Sequence, residues 1–315
     1  MKLVLAPMEG LVDDVMRDVL TRIGGIDMCV TEFVRVTSAL LPTRTFLRLA
    51  PELERAGNTR AGVPVRVQLL GSDAACLAEN GAKAASLGAP GVDLNFGCPA
   101  PSVNRHRGGA VLLNEPELLH EIVSAMRRAV PAGIPVTAKM RLGYEDKSRA
   151  LECAQAIESA GAAELTVHGR TKVEGYRPPA HWDWIARIRE AIAIPVIANG
   201  EVWTLDDYRA IRQESGCDTV MIGRGLVACP DLAARIVAGD GAGPMEWAIM
   251  MPWVADFFRQ CWEKSGENRY PVARLKQWLG LLKRTWPEAG QLFEAIRREQ
   301  EPESIHDILM ARLGK

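Results

Sequence analysis

The chain has 315 residues, of which 48% are hydrophobic and 24% charged, and its formal net charge is −1. This composition excludes a mostly disordered chain, a collagen-like repeat and a small disulfide scaffold, and the length allows one large domain followed by a small one. Because the global charge offers no attraction to polyanions, any binding of nucleic acid requires a local basic patch.

The cysteines indicate a reducing environment. There are seven, and no two have the C-x-x-C spacing, so neither a disulfide framework nor a zinc ribbon is predicted. Free thiols suit a reducing compartment. The apolar run at the N-terminus is too short for a signal peptide, and no uninterrupted apolar stretch is long enough for a membrane span. We expect a cytoplasmic monomer with no metal site and no membrane contact.

Eight short apolar runs, rich in β-branched residues, recur from the N-terminus to Ile222. They do not alternate with polar residues, which is typical of parallel strands buried on both faces. Helix-like segments separate them, the clearest being Glu115–Val130, which has an apolar stripe at spacings of three and four. The predicted strands are Leu3–Leu5, Met28–Val30, Val65–Leu69, Val92–Leu94, Val136–Ala138, Leu165–Val167, Val196–Ala198 and Thr219–Ile222.

Eight alternations of strand and helix fit a (β/α)8 TIM barrel, with a doubly wound sheet as the alternative. The residues that follow the runs separate the two folds. Polar or glycine residues end or follow all eight runs, among them Pro7–Glu9, Gln68, Asn95–Pro99, Lys139–Arg141 and His168. In a barrel these carboxyl ends meet at one mouth, whereas a doubly wound sheet uses mainly those near its switch point. The pattern therefore predicts a TIM-barrel enzyme.

The last two predicted strands end in glycine-rich turns. Asn199-Gly200 follows one strand, and Gly223-Arg224-Gly225 follows the other. Glycine lets backbone N–H groups approach an anion closely, and an arginine pairs well with phosphate. This is the usual phosphate position in barrels, so we expect a phosphorylated ligand.

Three side chains at the predicted mouth suggest chemistry. Lys139 ends a buried strand, where a lysine is costly unless a ligand pairs with it; it either holds a charged cofactor or forms a Schiff base. Cys98, between Gly97 and Pro99 in a loop, is a candidate nucleophile or, as a thiol that is protonated at neutral pH, a candidate acid. His168 precedes Gly-Arg-Thr, and we expect it to contact a ligand.

The sequence changes character at Gly239–Pro244, a glycine-rich segment. We predict a barrel domain over 1–238, a linker over 239–244 and a helical domain over 245–315, where aromatic and leucine residues recur at helical spacings. From Arg269 to Arg298 there are seven basic and two acidic side chains, so positive charge is concentrated there. A solvated helical face is the plainer interpretation, but segregated charge favours an RNA-binding surface around Arg274 and Lys276, extended toward the mouth by Arg35 and Arg141.

Taken together, these segments resemble the tRNA-dihydrouridine synthases. The matching stretches are Ala6-Pro7-Met8, Asn95-Phe96-Gly97-Cys98-Pro99, Gly108-Gly109-Ala110, Lys139-Met140-Arg141-Leu142-Gly143, Thr166-Val167-His168-Gly169-Arg170-Thr171 with Tyr176, Ile194-Pro195-Val196-Ile197-Ala198-Asn199-Gly200, and Met221-Ile222-Gly223-Arg224-Gly225. The resemblance implies an FMN-binding barrel and a helical RNA-binding domain that together reduce uridine to dihydrouridine in the tRNA D-loop, with electrons from NADPH. The short helical tail is most similar to that of the bacterial C-type members, which act on uridine 16.

The resemblance also implies a role for each residue at the mouth. Cys98 is the acid, and Lys139 lies near the N1/O2 edge of the flavin. Glu9 and Glu201 depart from the alanine and aspartate common in the family, so their contacts are expected from the backbone. The other flavin contacts implied are Pro7, Met8, Gln68, His168, Asn199, Gly200, Gly223 and Arg224; the uridine or tRNA contacts are Asn95, Arg141, Arg35, Tyr176, Arg274 and Lys276.

Three other functions remain open on the sequence alone. A related flavin barrel that acts on a free pyrimidine shares the cofactor site but needs no basic tail. A Schiff-base lyase would use Lys139 without flavin, and a noncatalytic RNA-binding protein would leave the polar strand ends unexplained. Flavin absorbance in the purified protein would exclude the last two.

Overall fold

The computed structural model describes residues 2–239, 241–265 and 268–314. All eight predicted strands are present, and several extend further toward their carboxyl ends. One additional strand of two residues, β3, follows β2. The strands are β1 Lys2–Leu5, β2 Met28–Val30, β3 Val34–Arg35, β4 Val65–Leu70, β5 Val92–Phe96, β6 Val136–Arg141, β7 Glu164–His168, β8 Val196–Asn199 and β9 Thr219–Ile222.

The strands close into a parallel barrel. Neighbouring strands are hydrogen-bonded in the order β2, β1, β9, β8, β7, β6, β5, β4. Strand β2 also pairs with β4, with Cys29 opposite Val65. This last pairing removes the free edges that a doubly wound sheet would keep, so the prediction of a TIM barrel is confirmed. The short β3 pairs with the carboxyl end of β4, where it places Arg35 on the rim of the mouth.

The helix predicted over Glu115–Val130 is present as α5, Pro116–Ala129, and local capping sets the ends of other barrel helices. The Asp13 side chain accepts the N–H of Met16 at the start of α1, and a reciprocal capping box between Thr204 and Asp207 opens α8. The helices are α1 Asp14–Ile23, α2 Thr43–Leu49, α3 Ala74–Ser86, α4 Pro101–Arg105, α5 Pro116–Ala129, α6 Ala150–Ser159, α7 Trp182–Ala191, α8 Leu205–Ser215, α9 Arg224–Ala228 and α10 Leu232–Ala238, with 3₁₀ turns at Pro51–Arg55 and Gly109–Asn114.

The barrel interior has an apolar half and a polar half. The apolar half, on β1, β2, β8 and β9, is filled by a small cluster separate from the main core. Its members are Val4, Ala6, Val30, Ile197 and Met221. On β4 to β7 the alternate residues are polar, and Arg66 forms an ion pair with Glu164 across this half. The main core lies between the strands and the surrounding helices. The polar half therefore lies directly beneath one side of the mouth.

A helical region follows the barrel. Its helices are α11 Trp247–Ser265, α12 Tyr270–Leu282, α13 Pro287–Ile296 and α14 Pro302–Arg312. Helix α12 rests on α9, because Trp278 Nε1 donates to the Val227 carbonyl at 2.9 Å and Thr285 Oγ1 to the Ala228 carbonyl at 2.7 Å. The helical region thus packs directly against the turn that follows the last strand.

Residues 241–246 form no helix or strand, the linker over 239–244 stays a prediction, and Asp240 lies outside the described residues. The division into two domains stays a prediction. In the part of the chain that the structure describes, no helix is long and apolar enough to cross a membrane.

Candidate active site

A pocket of about 550 Å³ opens at the carboxyl ends of the barrel strands. Its volume lies within the range typical of sites for cofactors and other small molecules. Fifteen of the predicted site residues line it together, although they come from seven different strand ends. They are Pro7, Met8, Glu9, Gln68, Asn95, Cys98, Lys139, Arg141, His168, Tyr176, Asn199, Gly200, Glu201, Gly223 and Arg224.

The loop that carries Cys98 is held by side-chain amides. Asn95 Oδ1 accepts the backbone N–H groups of Gly97 at 2.9 Å and Cys98 at 2.8 Å. From the other side, Asn104 Nδ2 donates to the Cys98 carbonyl at 3.0 Å. Gly109 has φ of +67°, and a Cβ there would lie 2.9 Å from the Cys98 Cβ, so glycine is required. The loop therefore holds the cysteine backbone in one position.

The Cys98 thiol is kept in its protonated form. The residue is 8% exposed, and burial raises the pKa of its thiol above the ordinary value. The N–H of Ala100 lowers that pKa, as do Arg141 and Arg35, while Glu9 raises it, and the net direction is upward. A protonated thiol is a poor nucleophile and a competent proton donor. The environment of Cys98 favours the acid over the nucleophile.

Lys139 brings a desolvated positive charge to the pocket. Burial of the ammonium group and the nearby Arg141 lower its pKa to about 8, and Asp93 opposes this fall. Within residues 2–239, 241–265 and 268–314, no carboxylate forms an ion pair with Lys139, and no hydrogen bond is made by its ammonium group. A desolvated ammonium without an acidic partner is costly. The arrangement is suited to an anionic or electron-rich ligand.

His168 and two glycines line another part of the pocket. The pKa of His168 is well below its ordinary value because of burial and the surrounding cations Arg141, Lys139, Arg170 and Arg224, so the ring is neutral. Its buried Nδ1 has no hydrogen-bond partner in the described chain. A Cβ on Gly200 would lie 3.2 Å from the His168 ring, and one on Gly223 would lie 3.2 Å from Met8 Sδ. Glycine at these positions therefore leaves room for the His168 ring and the Met8 sulfur, and both glycines line the pocket.

Aromatic rings and guanidinium groups alternate along the rim of the pocket. Tyr176, which is 54% exposed, has Arg141 5.3 Å and Arg224 4.6 Å from its ring centroid. Trp203 has Arg224 at 5.0 Å and Arg284 of the helical region at 4.1 Å. Sequence reasoning missed Trp203 and Arg284 as site residues; the position of Trp203, two residues after Glu201, was a signal for the first. This column connects the pocket to the helical region.

The side chains of Glu201 and Glu9, both predicted to lie at the cofactor, differ in their hydrogen bonding and exposure. The Glu201 carboxylate pairs with Arg170 and accepts Trp203 Nε1–H at 3.0 Å. Glu201 also has φ of +61°, so its loop is held in a left-handed conformation. Its side chain thus supports the rim, and the backbone contact expected between Glu201 and a ligand stays a prediction. Glu9, by contrast, is exposed at the mouth.

Arg141 braces two loops. Its Nε donates to the Gly97 carbonyl at 2.8 Å, and one terminal nitrogen donates to the carbonyls of Thr171 and Gly175, both at 3.0 Å. It therefore ties the Cys98 loop to the segment that carries Tyr176, and its contact with substrate stays a prediction. Arg35 is exposed, donates to the Ser102 carbonyl at 3.2 Å and lies outside the pocket lining.

The prediction of an exposed cationic surface at Arg274 and Lys276 is wrong, because neither side chain is exposed. Arg274 is 6% exposed; it donates to the carbonyls of Gly10 and Leu11 at 2.9 and 2.8 Å and pairs with Asp13 at 3.0 Å. These contacts join α12 to the loop after β1, because backbone carbonyls and a largely buried carboxylate need donors.

Lys276 is half-buried, and its ammonium donates to the carbonyls of Arg297 and Glu299 at 3.1 and 2.6 Å. The Lys276 ammonium group therefore satisfies carbonyl groups that follow the end of α13. The exposed cations between Arg269 and Arg298 are Arg269, Lys283, Arg284, Arg297 and Arg298.

Known proteins match this chain over nearly its whole length. The chain is 60% identical over 98% of its length to a tRNA-dihydrouridine(16) synthase of Aquipseudomonas alcaligenes, covering 99% of that protein. It is 58% identical over 98% of its length to a protein of the same name from Pseudomonas putida, covering 96% of it. The structure of an old yellow enzyme homologue from Zymomonas mobilis has a TM-score of 0.53 at 13% identity, over 77% of this chain and 90% of that one, and shows the fold alone.

A closed parallel barrel whose strand ends converge on a polar pocket defines a TIM-barrel enzyme. The sequence profile described as dihydrouridine synthase matches residues 4–304. The chain belongs to the dihydrouridine synthase family, which confirms the resemblance found in the sequence.

Proposed function

We propose that this enzyme reduces the C5–C6 double bond of uridine 16 in the tRNA D-loop, with FMN as cofactor and NADPH as the source of electrons. Family membership and the names of the close relatives support this reaction. The observation that carries the proposal is that a protonated Cys98 and an unpaired, desolvated Lys139 line one pocket. Together they suit a reaction in which a flavin and a proton donor act on the same base.

The residues at the mouth fit FMN. Lys139 supplies a cation for the electron-rich edge of the ring, and Gln68 and the Pro7–Glu9 backbone supply polar contacts. The His168 Nδ1 atom without a partner and the glycine backbone at Gly200 and Gly223 suit the ribityl chain and phosphate, with Asn199, Glu201 and Arg224 beside them. When bound, reduced flavin supplies hydride to C6 of uracil.

Cys98 supplies the matching proton. As hydride is added at C6, negative charge develops at C5 and O4 of the base, and the Cys98 S–H bond breaks as the new C5–H bond forms. Burial, which raises the pKa of the thiol, keeps the proton available at neutral pH. The thiolate left behind takes a proton from solvent before the next turnover, so each cycle consumes one hydride and one proton.

We further propose that 1–238 is the catalytic domain and that 245–315 binds tRNA. The exposed cations Lys283, Arg284, Arg297 and Arg298 lie in the helical region, and Arg284 stacks on Trp203 at the rim of the pocket. Contacts to phosphate supply affinity, and the uridine must swing out to reach a barrel mouth. A loop base is already partly unpaired, so this costs least in the D-loop.

The test is mass mapping of dihydrouridine in tRNA from a deletion strain that carries either the wild-type gene or the Cys98→Ala variant. We expect dihydrouridine at position 16 to disappear on deletion and to return only with the wild-type gene. Dihydrouridine 16 that persists in the deletion strain would contradict the proposal, and efficient turnover of free pyrimidines would favour the alternative flavin barrel.

The purified Cys98→Ala protein should remain yellow, release FMN on denaturation and be reduced by NADPH. Its uridine reduction should fall by about 10²–10⁴-fold, the usual contribution of a general acid. Wild-type turnover in this variant would give Cys98 a structural role only.

A further inference from the structure

A buried carboxylate lies beneath the floor of the pocket. Asp93, the second residue of β5, is 3% exposed and lies level with Gln68 on β4 and Thr137 on β6. Gln68 Nε2 donates to Asp93 Oδ2 at 2.7 Å, and Thr137 Oγ1 donates to Asp93 Oδ1 at 2.6 Å. The reaction described above makes no use of this carboxylate, although burying one is expensive.

Hydrogen bonds connect Asp93 to the loop that carries Cys98. Gln68, which donates to Asp93, accepts Asn95 Nδ2–H on its Oε1 at 2.7 Å. Asn95 Oδ1 then accepts the backbone N–H groups of Gly97 and Cys98. Two carboxamides thus bridge a carboxylate inside the barrel and the backbone of the proposed acid.

The direction of this chain of hydrogen bonds is fixed at both of its ends. The backbone N–H groups of Gly97 and Cys98 only donate, so Asn95 must turn its oxygen toward them. At the other end Asp93 Oδ2 accepts, so Gln68 must turn its Nε2 downward. Burial raises the pKa of Asp93. A proton taken up on Oδ1 would face the Thr137 hydroxyl, which can accept it, and Oδ2 would still accept from Gln68.

This direction determines what the two amides offer to a ligand. Gln68 and Asn95 both line the pocket. Each has one amide hydrogen engaged in the chain of hydrogen bonds and one remaining, while each amide oxygen already accepts a bond. Each amide therefore keeps one N–H that this chain of hydrogen bonds does not use and that a ligand can accept. A reversed Gln68 would set its oxygen against the Asp93 carboxylate, and a reversed Asn95 would leave the Gly97 and Cys98 N–H groups without an acceptor, which typically costs more than the bond is worth.

We propose that Asp93 is a positioning residue that sets the direction of these hydrogen bonds, and so orients the Gln68 and Asn95 amides and holds the Cys98 loop. The inference rests on the proposed function for the roles of Cys98 and the cofactor. The hydrogen bonds themselves belong to the protein without ligand, so their role can be tested without turnover.

Three variants that keep the size of the side chains test the proposal. In Asp93→Asn, the new amide can turn its oxygen to Gln68 and donate to the Thr137 hydroxyl, so the direction is kept. In Gln68→Glu, two carboxyl groups face each other: at low pH they share a proton and keep the wild-type direction, and above the pKa of that shared proton both are charged and repel. In the double variant, the new amide at position 93 donates to the new carboxylate at position 68, which can again accept from Asn95, so the loop is restored. That carboxylate has no N–H to offer the cofactor, whereas the wild-type amide keeps one.

The first readout is hydrogen exchange at the Gly97 and Cys98 amides in the FMN-free protein. At a pH high enough to remove the proton shared in Gln68→Glu, we expect rates within about twofold of wild type for Asp93→Asn, at least about tenfold faster for Gln68→Glu, and within about threefold of wild type for the double variant, as loss and recovery of a buried hydrogen bond would give. The second readout is the dissociation constant for FMN, which we expect to rise about tenfold or more in the double variant despite its ordered loop.

Equal exchange rates in Gln68→Glu and the double variant would overturn the proposal, because Asp93 would then not act through Gln68. Faster exchange in Asp93→Asn would also overturn it, since charge rather than direction would hold the loop. If the wild-type enzyme forms no dihydrouridine but the exchange pattern is as expected, the proposed function fails and the positioning role of Asp93 stands.

Discussion

Replacing Lys139 by methionine should stabilise the cofactor-free protein. The pKa of Lys139 falls from 10.5 to about 8 in the folded chain. A change of one pH unit in pKa corresponds to about 1.4 kcal/mol, so the desolvated ammonium costs up to roughly 3 kcal/mol of folding free energy at pH 7. Asp93 loses a favourable neighbour in the variant, which offsets part of the gain. We expect Lys139→Met to be about 1–3 kcal/mol more stable at pH 7.

The sign of the pH dependence follows from the lowered pKa. Between pH 8 and 10.5 the folded wild type has released the Lys139 proton while the unfolded chain still holds it. Wild-type stability therefore rises with pH in this window, and the advantage of the variant shrinks to near zero by about pH 10.5. Below pH 8 both states are protonated, and the advantage is constant.

The assay is urea unfolding of the FMN-free proteins at pH 7, 8.5 and 10, with the difference between variant and wild type taken at each pH. Lys283→Met, at an exposed lysine, controls for the general effect of losing one charge. A Lys139→Met protein that is less stable than wild type at pH 7, by an amount that does not change with pH, would show that the ammonium is stabilised within the protein and would refute the reasoning.

Three further predictions concern arginines and the exposed cations. Arg224→Ala should weaken FMN binding by about 1.5–3 kcal/mol, the worth of a charge-assisted hydrogen bond, as measured by flavin fluorescence; unchanged affinity would move the phosphate site elsewhere. Arg274→Ala should lower the free energy of unfolding by about 3 kcal/mol, because it leaves the largely buried Asp13 without its ion-pair partner, whereas Lys276→Ala should cost much less; equal losses in urea unfolding would contradict this. Lys283→Ala with Arg284→Ala should weaken tRNA binding and flatten its dependence on salt by up to about one unit of slope per lost phosphate contact, with FMN content unchanged; an unaltered slope would exclude these two from the RNA surface.

The barrel and its mouth could be predicted from the sequence because both depend on local patterns. Each strand is a continuous apolar run, and the residues next in the chain are by geometry the residues at the mouth. Pro7, Cys98 and Gly223 therefore line one pocket although they are far apart in the chain. The short helices α2, α4 and α9 were missed, since five to seven residues are too few to show a period.

What the sequence concealed depends on long-range partners. Arg274 looks like a surface cation within its own helix, but its acceptors, Gly10 and Leu11, lie more than 260 positions away. Asp93 is a single polar residue inside an apolar run, and its importance follows only from the register that sets it level with Gln68 and Thr137. Neither the contacts of Arg274 nor the strand register of Asp93 produces a periodic pattern in the sequence.

The contact between α12 and the loop after β1 also limits how the enzyme can be re-engineered. A helical tail taken from another family member would be the obvious way to redirect the barrel to a different uridine. In this chain the tail holds the Gly10 carbonyl through both Arg274 and Gln277, beside the backbone proposed to contact the flavin. A transplanted tail without equivalents of these two side chains would release that loop and put cofactor retention at risk. The exchangeable unit is therefore the tail together with the Gly10–Asp13 segment.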